Sequence, residues 1–379
     1  MEALVQTAKT ASPNLAVHHL IDIQFDKFLY LDPAKDHMEA TVLLQPSPNR
    51  GHCQACLTTR TRAPKASITR SKVHVRLCFS PAIARPERWP MDVTAAPAGI
   101  CVTVSPEVLY KELVPFGPAF QNIVAPVYIS PDGALAHIRT PNTATRYCLG
   151  SPYALDAALH AACAWSQHYI GIVAFPVAIK SRIIVRPTEP GDAYFGRIRP
   201  RGIQDDLMVF DIQLVDGQGD LREFIQGVQM RDVSGGRLVP PQWFIRKPAH
   251  DPLEEIEKAC HGLMVMELDA VAPFASLALT SKEKERFERM GIGRRKSFLA
   301  ARLALKRLYR HCREQDALLP ATAIETVIKD SPLPCCGDLH VTAAPGLNCS
   351  VSHDPRLAVA AAHTGKIGVD IEEITEKAL

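Results

Sequence analysis

Two acids one residue apart, Asp370 and Glu372, lie in the run Gly368-Val369-Asp370-Ile371-Glu372 near the end of the 379-residue chain. Read as a strand, residues i and i+2 share a face, so both carboxylates project together while Val369 and Ile371 pack behind them. Two hard oxygen ligands on one edge suit Mg²⁺. That ion takes one or two protein carboxylates and completes its octahedron with water and substrate phosphate. A third acid, Asp156, stands near the start of a long apolar run and four residues before His160. An aspartate there has two roles open to it. It can cap the helix or meet the positive end of its dipole. It can also be a carboxyl kept protonated in an apolar pocket, from which it donates a proton.

The elements that must position these groups are legible in the pattern. From Leu155 to Tyr169 nearly every residue is Ala, Leu, Cys or aromatic, which predicts a helix buried on most sides. Alternating strands are predicted at Val173 to Val185, Tyr194 to Arg199, Met208 to Val215 and Leu221 to Val233, with Gly217-Gln218-Gly219 turning between the last two. Near the start, Met1 to Ala8 reads as the end of a helix, followed by strands at Ile21 to Leu29, Glu39 to Leu44 and Lys72 to Phe79. Farther on, Phe298, Leu299, Leu305 and Leu308 fall at helical spacing. Arg294, Arg295, Lys306 and Arg307 take the solvated face there, and Arg302 lies nearer the apolar side. Asn348 to Asp354 and Ile367 to Glu373 read as strand, turn, strand. Proline-rich linkers at Pro81 to Pro97 and Arg237 to Pro252 divide the chain into 1–95, 96–245 and 261–379. The fold class expected is α+β.

Gly117-Pro118-Ala119-Phe120-Gln121 followed by Leu155-Asp156-x-x-x-His160 resembles the second half of a polyketide synthase dehydratase. The resemblance implies a double hotdog, two antiparallel sheets each wrapping one long helix, with residues 1–95 as an incomplete first hotdog. It also implies that Asp156 assists departure of the β-hydroxyl and that His160, at a position often held by glutamine, orients it. The family's general base is a histidine in a His-x-x-x-Gly segment. That segment is expected upstream of Met1, since His18, His19 and His37 are no substitutes.

The basic helix around Arg302, then Val351-Ser352-His353, then Gly368-x-Asp370-x-Glu372 resembles the first half of a pseudo-dimeric 4′-phosphopantetheinyl transferase, over roughly 261–379. That resemblance implies that Asp370 and Glu372 hold Mg²⁺ on the pyrophosphate of coenzyme A, while Arg302, Ser352 and His353 bind the coenzyme. The acceptor would be a serine of an acyl carrier protein, and positioning and charge neutralisation would do most of the chemistry. The family's second half, with its tryptophan, lysine and glutamate, would follow Glu373. The chain is therefore expected to be an internal fragment of a multifunctional synthase whose carboxy-terminal arrangement resembles iterative polyketide synthases of enediyne type, with a polyunsaturated-fatty-acid-type assembly line as the other candidate and a homodimer through the parent as one expectation. The alternative is a non-catalytic double hotdog that docks carrier protein or shapes a synthase dimer.

Composition narrows the class. A net charge of +3 with no long basic block does not point to nucleic acid. No run of about 18 apolar residues predicts a membrane span, and no secretory leader is recognisable, so the cytoplasm is expected. Eleven cysteines, an odd number, suit a reducing compartment better than a disulfide framework. His52-Cys53-x-x-Cys56 lacks the second pair that a zinc site needs nearby, and Cys335-Cys336 with His340 is no better.

Overall fold

In the computed structural model the described residues are 1–29, 38–46, 53–62, 69–81, 97–145, 147–246, 262–272, 275–313, 321–326 and 348–373. They form two compact units. One takes in Met1–Arg85, Ser105–Val127 and Ala136–Ile245, and the other Pro86–Val104, Tyr128–Leu135 and Arg246–Leu379. The cores of the linkers at 82–96 and 247–252, His37, His52, and Cys335, Cys336 and His340 lie outside the described residues.

The strands in chain order are β1 (His19–Phe25), β2 (Thr41–Pro46), β3 (Cys53–Arg62), β4 (Thr69–Phe79), β5 (Val102–Val104), β6 (Val127–Ser130), β7 (Gly133–Arg139), β8 (Phe175–Ile184), β9 (Ala193–Gln204), β10 (Leu207–Asp216) and β11 (Leu221–Arg231). In the first unit they are ordered β2-β3-β4-β1-β8-β11-β10-β9-β7. The order splits into two similar halves. A helix over Glu2–Ala11 buries Leu4, Val5 and Ala8 and packs on β2 and β3. A longer one over Pro152–Tyr169 packs on β8, β9 and β10. Antiparallel pairing of β1 with β8, with Leu20 opposite Arg182, joins the halves into one sheet. Two helices, each set against its own part of an antiparallel sheet, are the arrangement expected of a double hotdog.

Strand β3 was not foreseen. Its Cys53 and Cys56 are three residues apart on a strand, so they point to opposite faces and cannot share an ion. No group of three or more potential metal ligands exists among the described residues, and the eight cysteines among them are free thiols. The Gly217–Gly219 turn is as expected. Asp216 accepts the amides of Gln218 and Asp220, each at 2.9 Å, and pairs with Arg222 at 2.9 Å.

The Pro152–Tyr169 helix explains its own composition. Ser151 precedes it, and Pro152 occupies its first turn, where a missing N–H costs nothing. Ala157, Ala158, Ala161, Ala162 and Ala164 let the sheet approach closely. Gly196 on β9 does the same from the other side, since a Cβ there would come within 3.0 Å of Ile138 and 3.4 Å of Ala158. Trp165 then stands edge-on against Phe210 of β10, with ring centroids 5.5 Å apart. The helix ends at Gly171, whose φ of +75° suits a left-handed stop.

Gly150, just before the helix, has φ +80°, and a Cβ on it would strike the backbone amide of Thr188. Gly150→Ala should therefore cost more than the roughly 1–2 kcal/mol of the left-handed conformation alone. The check is a lower urea midpoint with an unchanged m-value.

In the second unit β12 (Gly262–Glu267), β13 (Asn348–His353) and β14 (Leu357–His363) form a sheet in the order β12-β14-β13. The Ile292–Cys312 helix packs on β12 and β14. Here the expected second strand is corrected. It is Leu357–His363, whereas Ile367 to Glu373 makes no ladder. That segment still alternates. Ile367, Val369 and Ile371 pack on Leu263, Val265, Val359 and Ala361, while Asp370 and Glu372 are exposed.

Lys306 is a second correction. Expected on a solvated face, it is fully buried, its ammonium 2.5 Å from Glu283 Oε2 and 2.7 Å from Ala278 O. Among the described residues no helix is long and apolar enough to cross a membrane.

Candidate active site

Asp156 is the fifth residue of its helix, beyond the first turn, so the capping role does not apply to it. Four residues on, His160 lies on the same face. Its Nε2 is 3.1 Å from Asp156 Oδ2, but the two atoms lack the alignment of a hydrogen bond. The imidazole is 3% exposed, and neither ring nitrogen has a hydrogen-bond partner. A neutral imidazole offers one donor and one acceptor, and leaving both unmet in a dry site is costly. The Asp156 side chain is about a third exposed.

The Gly117–Gln121 motif builds the wall over this pair. Pro118–Phe120 form a single 3₁₀ turn. Gln121 Nε2 reaches back to donate to Phe116 O at 2.8 Å, and Asn122 Nδ2 donates to Ala119 O at 3.1 Å. This closed loop lays the Phe116 ring on the His160 imidazole, with centroids 4.6 Å apart and planes 22° from parallel. Tyr110 meets the same imidazole edge-on at 5.7 Å and accepts the Ile123 amide at 3.0 Å. Burial pushes the Tyr110 hydroxyl's pKa up against two backbone hydrogen bonds that lower it. Tyr110 thus remains a neutral phenol.

A pocket of about 380 Å³ opens onto the pair. Leu113, Val114, Phe116, Leu159, Val173, Phe175 and Met230 make it apolar, and Leu238 and Val239 stand at its rim with 49% and 66% exposure. Its polar lining is sparse: Glu112, Asp156, His160 and Gln167, with the Cys163 thiol. An apolar cleft with a few convergent polar groups is the usual form of a small-molecule site.

Residues 88–238 match the family model described as the polyketide synthase dehydratase N-terminal domain. The matched residues hold the second helix and the strands it packs on. Among solved structures, the chain is similar to the dehydratase domain of RzxB from Pseudomonas fluorescens, at 17% identity and a TM-score of 0.47, over 60% of this chain and 82% of that one. It is also similar to a trans-AT polyketide synthase dehydratase domain from Brevibacillus brevis, at 19% identity and 0.49, over 62% and 83%. No curated protein matches the chain.

The expected coenzyme-binding residues lie in the second unit. Ser352 Oγ donates to Asp370 Oδ1 at 2.7 Å, and the Ile371 amide donates to the same oxygen at 3.0 Å. His353 and Glu372 are exposed. Arg302, the third residue expected to bind the coenzyme, is buried. It is 3% exposed, with Nη1 3.0 Å from Thr326 Oγ1 and its guanidinium 5.0 Å over the Phe298 ring. Burial pushes its pKa down to about 10, with Glu283 opposing and Arg286 adding to the shift.

Sequence reasoning singled out Asp156, His160 and the Gly-Pro-x-Phe-Gln loop, which the structure brings together. It missed Cys163 and Gln167 as lining residues and Tyr110 as the ring set edge-on against His160. Gln167 was within reach, since it stands eleven residues after Asp156 and so on the same helix face.

Proposed function

We propose that the first unit eliminates water from a β-hydroxyacyl chain tethered to an acyl carrier protein. The unpartnered Asp156–His160 pair at the head of an apolar pocket carries this reading. In the proposed step Asp156, protonated, gives its proton to the β-hydroxyl as the Cβ–O bond breaks. His160 holds that hydroxyl through one of its unmet ring nitrogens. The Cα–H proton goes to the histidine of a His-x-x-x-Gly segment, a pattern absent from these 379 residues. The electron pair it leaves becomes the Cα=Cβ bond, and water departs. Intact-mass analysis of a β-hydroxyacyl carrier protein tests the reading, with the His-x-x-x-Gly half supplied in cis. Loss of one water supports it. Bound substrate that never loses water favours the non-catalytic module.

For the second unit we propose the first half of a phosphopantetheinyl transferase within the same synthase. Asp370 and Glu372 are the residues that would hold Mg²⁺. They are exposed side by side, Asp370 Oδ2 is left over after Oδ1 is occupied, and two carboxylates meet that ion's need. The metal, when bound, neutralises pyrophosphate charge. Ser352 orients the Asp370 carboxylate, and the exposed His353 would meet a phosphate. Asp370→Ala should abolish Mg²⁺-dependent coenzyme A binding in calorimetry. Binding that survives the substitution would remove the assignment.

A further inference from the structure

Asp156, His160, Cys163 and Gln167 recur at i, i+4, i+7 and i+11, so one stripe of the central helix runs along the pocket for about 16 Å. Its last member is chemically odd. Gln167 is completely buried among apolar groups, and its amide orientation is fixed because Nε2 donates to Leu113 O at 2.8 Å and to Cys163 Sγ at 3.5 Å. Reversing the amide would set two acceptors against each other. The carbonyl oxygen Oε1 is therefore an acceptor by necessity, and it has no partner. Burial raises the pKa of the neighbouring Cys163 thiol, so it stays neutral and supplies no charge that would explain the amide.

A purely aliphatic guest would leave that acceptor unmet, and methionine or leucine would line such a pocket better. We propose that Gln167 selects acyl chains carrying a hydrogen-bond donor, a hydroxyl above all, in the half remote from the reacting β-carbon. The inference rests on the acyl-pocket reading of this unit. It adds the substrate class, a chain already hydroxylated away from the thioester, and names Gln167 as a specificity-determining residue two helical turns beyond His160.

The test is equilibrium binding to the full chain, so it does not depend on turnover. The probes are decanoyl pantetheine and its isomers with one hydroxyl at successive carbons of the distal half. One isomer should bind about tenfold more tightly than decanoyl pantetheine, the worth of one buried acceptor satisfied. Gln167→Met, of similar length and without the acceptor, should level the series. Tight but equal binding of all probes to the unaltered chain would overturn the Gln167 assignment and leave the acyl pocket standing. Binding of none would overturn both. A preference that persists in Gln167→Met would place the donor's partner elsewhere and also overturn the proposal.

Discussion

Asp156→Asn should lower the rate of dehydration by a factor of about 10²–10⁴, the range that positioned proton transfer contributes, without unfolding the protein. The replacement keeps the size and planarity of the side chain and takes away only the transferable proton. Folding should survive because the carboxyl is part-exposed, makes no aligned hydrogen bond and lies beyond the first turn of its helix. His160→Gln is the informative contrast. Glutamine can still orient a hydroxyl, so the loss should be about tenfold or less. His160→Leu should approach the Asp156→Asn defect, because the side chain that holds the hydroxyl would be lost. A synthase segment in which Asp156→Asn dehydrates at the original rate would return Asp156 to a structural role. Far-ultraviolet circular dichroism separates that result from simple unfolding.

The first unit was the more readable of the two for a physical reason. Its elements carry period-two alternation or near-continuous apolar runs, and its turns carry glycines and aspartates in roles that a sequence exposes. The Leu221–Arg231 strand and the Gly217–Gly219 turn came out nearly where the pattern placed them. Strand β3 did not, because Cys53-Gln54-Ala55-Cys56 followed by Thr58 and Thr59 reads as polar until its pairing with β2 and β4 is known.

The second unit was harder. Helical spacing alone put Lys306 on the solvated face and Arg302 nearer the apolar side, and only the positions of Glu283 and Thr326 decide that both turn inward. Long basic side chains follow their partners, and those partners lie tens of residues away in sequence. Likewise Asp370 and Glu372 share a face as expected, but by packing of Val369 and Ile371 on the sheet rather than by strand pairing.

Glu283→Gln should destabilise the second unit by about 3–5 kcal/mol, the usual cost of removing one partner from a buried ion pair. Glu283 is the hub of that unit. Its own helix, Ser281–Arg289, begins with a capping box in which Thr280 and Glu283 satisfy each other's backbone amides. Beyond this, Oε2 takes the Lys306 ammonium at 2.5 Å, and Oε1 takes the Thr326 amide at 3.0 Å and its hydroxyl at 2.5 Å. Thr326 in turn accepts from Arg302. Neutralising the carboxylate strands an ammonium with no exposure, so the Glu283→Gln/Lys306→Met pair should recover most of the loss as apolar volume replaces charge.

Acid should act on the same group. Burial opposes ionisation of Glu283, but Lys306 and the hydrogen bonds from Lys306, Thr326 and the Thr280 amide outweigh it and hold its pKa below the ordinary 4.5. A carboxyl whose folded pKa is depressed stabilises the fold fully above its unfolded value, and that contribution disappears as pH falls through the folded value. Urea midpoints of the second unit should therefore fall below about pH 4.5 in the original protein, while Glu283→Gln lacks this component of the fall. Parallel acid profiles in the two would show that the Glu283–Lys306 pair does not hold the unit together.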